Sequence, residues 1–113
     1  FDIAGAFDLI HDLPHPQEGI KAIKNSLKPG GIFLLMDIKC TEDPIDNNDP
    51  MALFKFGASL HFCMTTSLAY NGIGLGTVGL PLKKVEEFCF NAGFKNVREI
   101  DINHPINSLF QIS

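Results

Sequence analysis

A chain of 113 residues, 45% apolar and 19% charged, has the composition of one folded globular domain, which excludes an intrinsically disordered protein. Its formal net charge of −4 argues against nucleic-acid binding, which needs clustered lysine and arginine. No apolar run approaches the ~20 residues of a membrane span, and no signal-peptide pattern opens the chain. Three cysteines without CxxC spacing indicate reduced thiols. We therefore expect a cytoplasmic protein without membrane or nucleic-acid partners.

The first third of the sequence predicts a strand, a helix and a second strand. Residues 1–7 predict a strand, and residues 8–14 a loop that carries the dipeptide His11-Asp12. Pro16 is a favourable first helical residue, and apolar residues at helical spacing predict an amphipathic helix over 16–27. That helix would bury Ile20, Ile23 and Leu27 on one face. Together with the next strand it forms a βαβ unit, whose crossover should be right-handed.

The second strand is predicted over residues 31–38, after a stop at Pro29-Gly30 that a helix cannot continue through. Residues 32–36 are continuously apolar, which is typical of a strand that is covered on both faces and has parallel neighbours. Asp37 follows at the carboxyl end, the edge at which open α/β sheets bind their ligands. We therefore expect the functional site at this edge.

The middle of the chain predicts helix between two loops. Residues 51–70 indicate a mostly buried helix, or two helices broken near Gly57. We interpret His61, Cys63 and Met64 as core or pocket-wall residues, because no second histidine or acidic residue lies four positions away. No metal site is therefore predicted. The acidic residues 42–50 lack the ligand spacing of an EF-hand calcium loop, and we interpret them as a loop that caps the next helix with Asp49.

Three glycines, Gly72, Gly74 and Gly76, resemble a phosphate-binding loop, but such a loop follows a buried strand and opens a helix directly. We favour a mobile loop at the mouth of a site. A helix then begins at Pro81, is ended by Gly93, and has an apolar face of Leu82, Val85, Phe88, Cys89 and Ala92. Residues 96–102 and 107–112 predict two strands, which must be antiparallel because their connection is short.

This order of elements is similar to the second half of a class I S-adenosylmethionine-dependent methyltransferase. The resemblance covers nearly the whole chain and is carried by Phe1-Asp2-Ile3-Ala4, Leu27-Lys28-Pro29-Gly30-Gly31, the strand 32–37 and Ala92-Gly93-Phe94. It implies half of a Rossmann-like α/β fold, with parallel strands, a C-terminal antiparallel strand pair and flanking helices. It also implies that residues 1–113 are the C-terminal part of a catalytic domain, without the N-terminal half that grips the cofactor.

A narrower resemblance, to small-molecule O-methyltransferases with an upstream winged-helix domain, is carried by Ile10-His11-Asp12 and Leu68-Ala69-Tyr70-Asn71-Gly72. It implies that His11 is the general base for a substrate hydroxyl and that Asp37 orients its ring. It further implies that S-adenosylmethionine contacts the loop after the first strand and that a small-molecule acceptor binds near the middle helix. The residues so assigned are Ala6, Phe7 and Asp8 for the cofactor, and Met64, Tyr70 and Asn71 for the substrate pocket.

Other interpretations stay open. His11 could equally be a loop residue that satisfies backbone groups. Because Pro81-Leu82-Lys83 stands where the family has a second carboxylate, a non-catalytic binding or regulatory module with the same fold is the main alternative to an enzyme. A third is a methyltransferase whose substrate has no hydroxyl and needs no base. If residues 1–113 stand alone, the unpaired edge of the first strand predicts a homodimer or strand exchange through residues 1–7.

Overall fold

The computed structural model describes residues 1–40, 50–75 and 80–113. A four-stranded sheet consists of β1 (Ile3–Phe7), β2 (Ile32–Ile38), β3 (Val97–Ile100) and β4 (Asn107–Ile112), in the spatial order β1-β2-β4-β3. Strands β1 and β2 are parallel, and β4 is antiparallel to both β2 and β3. The predicted α/β fold, with parallel strands and a C-terminal antiparallel pair, is confirmed. The expectation that β2 has parallel neighbours is correct only for β1, because the last hairpin folds back and inserts β4 beside it.

The described helices connect and flank the strands of this sheet. Helix α1 (Pro16–Ser26) connects β1 to β2, as predicted, and α4 (Leu82–Asn91) precedes β3. The predicted loop between β1 and α1 contains a short 3₁₀ helix, Ile10–Asp12. Helix α2 (Pro50–Ala58) and helix α3 (Met64–Ala69) are joined by a π-helical turn, Ser59–Cys63. The predicted capping loop with Asp49, together with Gly76, lies outside the described residues.

The core lies between one face of the sheet and helices α1 and α4. Strand alternation brings four side chains to this face as fully buried residues: Phe33, Leu35, Phe110 and Ile112. The helices contribute Ile20 from α1 and Val85, Phe88 and Cys89 from α4, while Ile23 and Leu27 pack at its margin. Gln17 Nε2 joins the two helices by donating to the Phe88 carbonyl at 3.0 Å. The predicted apolar faces are confirmed, except that Leu82 at the start of α4 remains exposed.

The opposite face of the sheet is only partly covered. In β2 the side chains alternate strictly between buried and half-buried, and the half-buried set includes Leu34 and Met36. On the neighbouring strand Ile3 and Phe7 are exposed on this same face. The prediction that β2 is covered on both faces is therefore wrong for the face that carries Leu34 and Met36, because α1 and α4 both pack on the core face.

The prediction of a mostly buried middle helix is also wrong. The backbone continues in helical conformation through Ala58 and Met64, so the segment is not broken at Gly57. Its buried side chains include Ser59 and Ser67, which are small and polar. Among the described residues α3 packs against the 3₁₀ helix, and Lys55 of α2 donates to the Lys39 carbonyl. Large apolar residues on the remaining sides of the segment are exposed to solvent: Met51, Leu53, Phe54, Leu60, Phe62 and Leu68.

Candidate active site

A buried pair, His11 and Asp37, lies at the carboxyl edge of the two parallel strands. His11 is in the 3₁₀ helix just after β1, and Asp37 is the next-to-last residue of β2, so parallel pairing brings the two together. His11 Nδ1 lies 2.6 Å from Asp37 Oδ1, and their side chains are 4% and 0% exposed. The Ile38 backbone N–H also donates to Asp37 Oδ1, at 2.8 Å. The predicted contact between the two residues is therefore present.

The hydrogen bond to Asp37 determines which ring nitrogen of His11 has a lone pair that can accept a proton. An ionised carboxylate only accepts hydrogen bonds, so Nδ1 must donate to Asp37. In the neutral ring Nε2 is then the nitrogen with a lone pair. Burial lowers the pKa of His11, but the hydrogen bond to Asp37 and the charges of Asp37, Asp12 and Asp8 outweigh it, and the pKa is raised above 6.5. The acidic surroundings thus make the imidazole a stronger proton acceptor.

Two further polar side chains lie at His11, and the sequence had assigned neither a role there, although it singled out the dipeptide His11-Asp12 and placed Cys63 in the core or a pocket wall. Asp12 Oδ1 is 3.3 Å from His11 Nε2, and the Asp12 side chain is 48% exposed. Cys63, the last residue of the π-helical turn, has its Sγ within 4.8 Å of a His11 ring nitrogen and an Asp12 carboxylate oxygen. The place of Asp12 beside His11 in the sequence was the signal for its role. No sequence signal indicated Cys63, because its position depends on a turn that ordinary helical spacing does not predict.

The residues assigned to the cofactor lie at the same edge but differ in exposure. Ala6 is buried in the core, so its side chain faces away from any ligand and only its backbone remains available. Phe7 is exposed, and Asp8 adopts a left-handed φ of 49°. The Asp8 backbone N–H donates to the Met36 carbonyl at 2.8 Å, and its carboxylate accepts from Asn107 Nδ2. These contacts fix the turn that leads from β1 to His11.

The residues assigned to the substrate pocket lie on the segment that is bonded to the His11 loop. Met64 is half-buried, whereas Tyr70 and Asn71 are exposed. The Ile73 backbone N–H donates to the Pro14 carbonyl at 3.0 Å, and the Gly72 N–H donates to the Ser67 carbonyl at 2.8 Å. The first bond holds the residues after α3 beside the loop that follows the 3₁₀ helix, and the second closes the end of α3. The role of the three residues in substrate binding stays a prediction.

Comparison with known proteins bears on the fold. No family model and no curated protein matches the sequence. An O-methyltransferase family protein from Burkholderia thailandensis superposes with a TM-score of 0.65 and 21% identity, over 99% of this chain. The fold is methyltransferase-like. A protein described as a possible exported protein from Bordetella parapertussis gives a TM-score of 0.63 and 17% identity, again over 99% of this chain.

The methyltransferase-like fold found here spans 30% of the Burkholderia protein's length and 38% of the Bordetella protein's. The match to the Burkholderia protein concerns the fold, and the upstream winged-helix domain stays a prediction. In the part of the chain that the structure describes, no helix combines the length and the apolarity needed to cross a membrane. The cytoplasmic location likewise stays a prediction.

Proposed function

We propose that this chain is the C-terminal part of a catalytic domain that transfers a methyl group from S-adenosylmethionine to a hydroxyl of a small molecule. The observation that carries the proposal is the buried His11–Asp37 pair at the carboxyl edge of a methyltransferase-like sheet. The share of the two neighbours that the chain matches, 30% and 38%, supports its assignment as part of a larger domain. By itself the chain should be inactive.

The residues that follow β1 fit one wall of a cofactor site. The exposed Phe7 ring offers an apolar surface, and the bonded turn at Asp8 holds it at the sheet edge where α/β folds bind nucleotides. A glycine-rich turn at a helix N-terminus and an acidic residue for the ribose belong to the upstream half in this proposal. When bound, S-adenosylmethionine supplies a methyl group on a positively charged sulfur.

His11 and Asp37 then provide the proton chemistry. Methyl transfer is an in-line displacement, in which the acceptor oxygen bonds to the methyl carbon and the carbon–sulfur electron pair stays on sulfur. Nε2 of His11 accepts the hydroxyl proton as the oxygen attacks. Asp37 holds the ring through Nδ1 and stabilises the imidazolium that forms, because its charge lies within 3 Å and is shielded from water.

Calorimetric titration of S-adenosylmethionine tests the division of the domain. We expect weak or no binding by residues 1–113, and binding by a chain that includes ~100–150 upstream residues, the size of a missing half domain. Binding by neither chain would contradict the proposal. That result would favour the alternative, a non-catalytic module that keeps the fold.

Transfer of radiolabelled methyl groups to a panel of phenols and aliphatic alcohols tests the role of His11. In the extended chain we expect His11→Gln to reduce the rate by about 10²–10⁴-fold, the usual contribution of a general base. Binding of S-adenosylmethionine should be unchanged, because His11 acts on the acceptor. Lys21→Gln, at an exposed residue of α1, is the matched control. An unchanged rate in His11→Gln would remove His11 from the mechanism.

A further inference from the structure

We propose that His11, Asp12 and Cys63 form a binding site for a divalent transition-metal ion, with Zn²⁺ as the best fit. One ligand atom from each residue, a ring nitrogen, a carboxylate oxygen and a sulfur, lies within 4.8 Å of the other two. Nitrogen, oxygen and sulfur donors of these three side chains are the ligands that zinc uses in proteins. Three protein ligands leave the fourth tetrahedral position open to water or a substrate.

The separations require only a small closure around an ion. Zinc bonds of about 2.0–2.3 Å in tetrahedral geometry place ligand atoms roughly 3.3–3.8 Å apart. His11 Nε2 and Asp12 Oδ1 are already 3.3 Å apart. The Asp12 side chain is 48% exposed and can therefore rotate, whereas the ring of His11 is held in place. The sulfur of Cys63, which lies within 4.8 Å of the other two ligand atoms, has to approach them to roughly 3.8 Å.

The second observation that points to a metal is the role of Asp37. A metal-bound histidine commonly donates its other ring N–H to a carboxylate, which fixes the ring and increases its basicity as a ligand. The Nδ1 contact of 2.6 Å to the fully buried Asp37 has this arrangement and directs Nε2 toward Asp12. The ring is therefore preorganised for an ion at Nε2.

The backbone around the site holds its two halves together. Asp12 and His11 come from the 3₁₀ helix, and Cys63 ends a π-helical turn, a rare conformation that is found frequently at functional sites. Helix α3, which begins one residue later, packs against the 3₁₀ helix. Because the three ligands come from two separate segments, spacing along one helix does not reveal them.

This inference goes beyond the proposed methyl transfer, and the two roles exclude each other at one atom. Nε2 cannot accept a proton while its lone pair is bound to a metal ion. Zn²⁺ should therefore inhibit transfer in the extended chain, and a chelator should restore it. Metal binding itself does not depend on a cofactor or an acceptor, so it can be measured on residues 1–113 and can fail or succeed independently of the enzymatic proposal.

Titration of the metal-free chain with Co²⁺, followed by Zn²⁺ in calorimetry, tests the site. We expect one ion per chain and a sulfur-to-cobalt charge-transfer absorption. Loss of an outer-shell partner alone costs about 10–100-fold in metal affinity, so Cys63→Ser should weaken Zn²⁺ binding more than tenfold and abolish the absorption band. Cys40→Ser, at a half-buried cysteine outside the cluster, is the matched control and should bind as the parent chain does.

Asp12→Asn provides a second variant. Because the Asp12 side chain is 48% exposed, we expect this substitution to leave the fold intact. It should also weaken Zn²⁺ binding more than tenfold while circular dichroism stays unchanged. Absence of the charge-transfer band in the parent chain would overturn the proposal. So would parent-like Zn²⁺ affinity in Asp12→Asn, which would indicate adventitious binding elsewhere on the chain.

Discussion

Asp37 has no exposed surface although it carries a carboxylate, and its partners explain how this is tolerated. It follows an apolar run in β2, and strand alternation turns it to the same face as Phe33 and Leu35. A buried charge is costly unless it is paired and hydrogen-bonded. Asp37 receives the ring N–H of His11 and the backbone N–H of Ile38. The pair is therefore a structural requirement as well as the candidate catalytic unit.

Removing Asp37 should be far more costly than removing an exposed aspartate. We expect Asp37→Ala to lower the free energy of unfolding by about 3–5 kcal/mol, because it leaves His11 buried without its partner. Asp2, 80% exposed and 3.0 Å from Lys28, is the matched control, and Asp2→Ala should cost about 0–1 kcal/mol. Urea unfolding of both variants measures the difference. Equal losses would show that the His11–Asp37 contact contributes little to stability.

At the scale of elements, the connection after α3 depends on a close approach at Gly72. A Cβ atom at this position would clash with Cα of Pro14 and with Oγ and the carbonyl oxygen of Ser67. Pro14 also accepts the hydrogen bond from the Ile73 N–H, which joins the segment to the loop after His11, whereas Ser67 accepts from the Gly72 N–H within the segment. Gly72 therefore allows two chain segments to pack closely. This explains the glycine without a phosphate-binding role.

Two glycine substitutions should have opposite effects on stability. We expect Gly72→Ala to destabilise the chain by about 1–3 kcal/mol, the usual cost of overpacking. Gly57→Ala in α2 should stabilise it by up to about 1 kcal/mol, because alanine favours helix and the added Cβ meets no heavy atom of the described residues within 4 Å. Thermal unfolding followed by circular dichroism measures both. A stabilised Gly72→Ala variant would contradict the close packing.

At the scale of the whole molecule, the apolar surface is distributed unevenly. One face of the sheet is buried under α1 and α4, whereas the other carries half-buried Leu34 and Met36 beside the exposed Ile3 and Phe7. Within the described sheet β1 is an outer strand that pairs with β2. Exposed strand edges with apolar neighbours favour pairing with another chain. A second copy of this chain fits such an edge, since it offers the same strand.

We therefore expect residues 1–113 to self-associate through β1 at high concentration. Ile3, 62% exposed on the open face, is the position to change, and Ile3→Lys should shift the chain toward monomer, because a charge on an edge strand opposes pairing. Phe90→Lys, at an exposed residue of α4, is the matched control and should leave association unchanged. Sedimentation velocity measures all three chains. A monodisperse monomer of the parent at high concentration would contradict the expectation.

Local chemistry in the sequence was sufficient for the type and order of the main elements. Pro16 and the helical spacing of Ile20, Ile23 and Leu27 determined α1, and the apolar run before Asp37 determined β2. The short connection before β4 determined an antiparallel pair. Each of these features acts within a few residues. Proline fixes φ and lacks an N–H group, and apolar residues repeat at helical or strand spacing, so the sequence alone predicts these elements. The family resemblance, and not a local pattern, suggested that His11 meets Asp37.

Only the tertiary structure decided which surfaces meet. The exposure of α2 and α3, the open face of β2 and the position of β4 between β2 and β3 all depend on contacts between distant segments, which composition does not encode. Cys63 reaches His11 and Asp12 through a π-helical turn and a bonded loop, and neither follows from helical periodicity. The sequence by itself therefore determined the main elements, and the family resemblance suggested one pair of the candidate site. Only the folded structure brought Asp12 and Cys63 together at that pair. The local pattern around each residue is equally compatible with core, surface or site, and long-range packing selects among them.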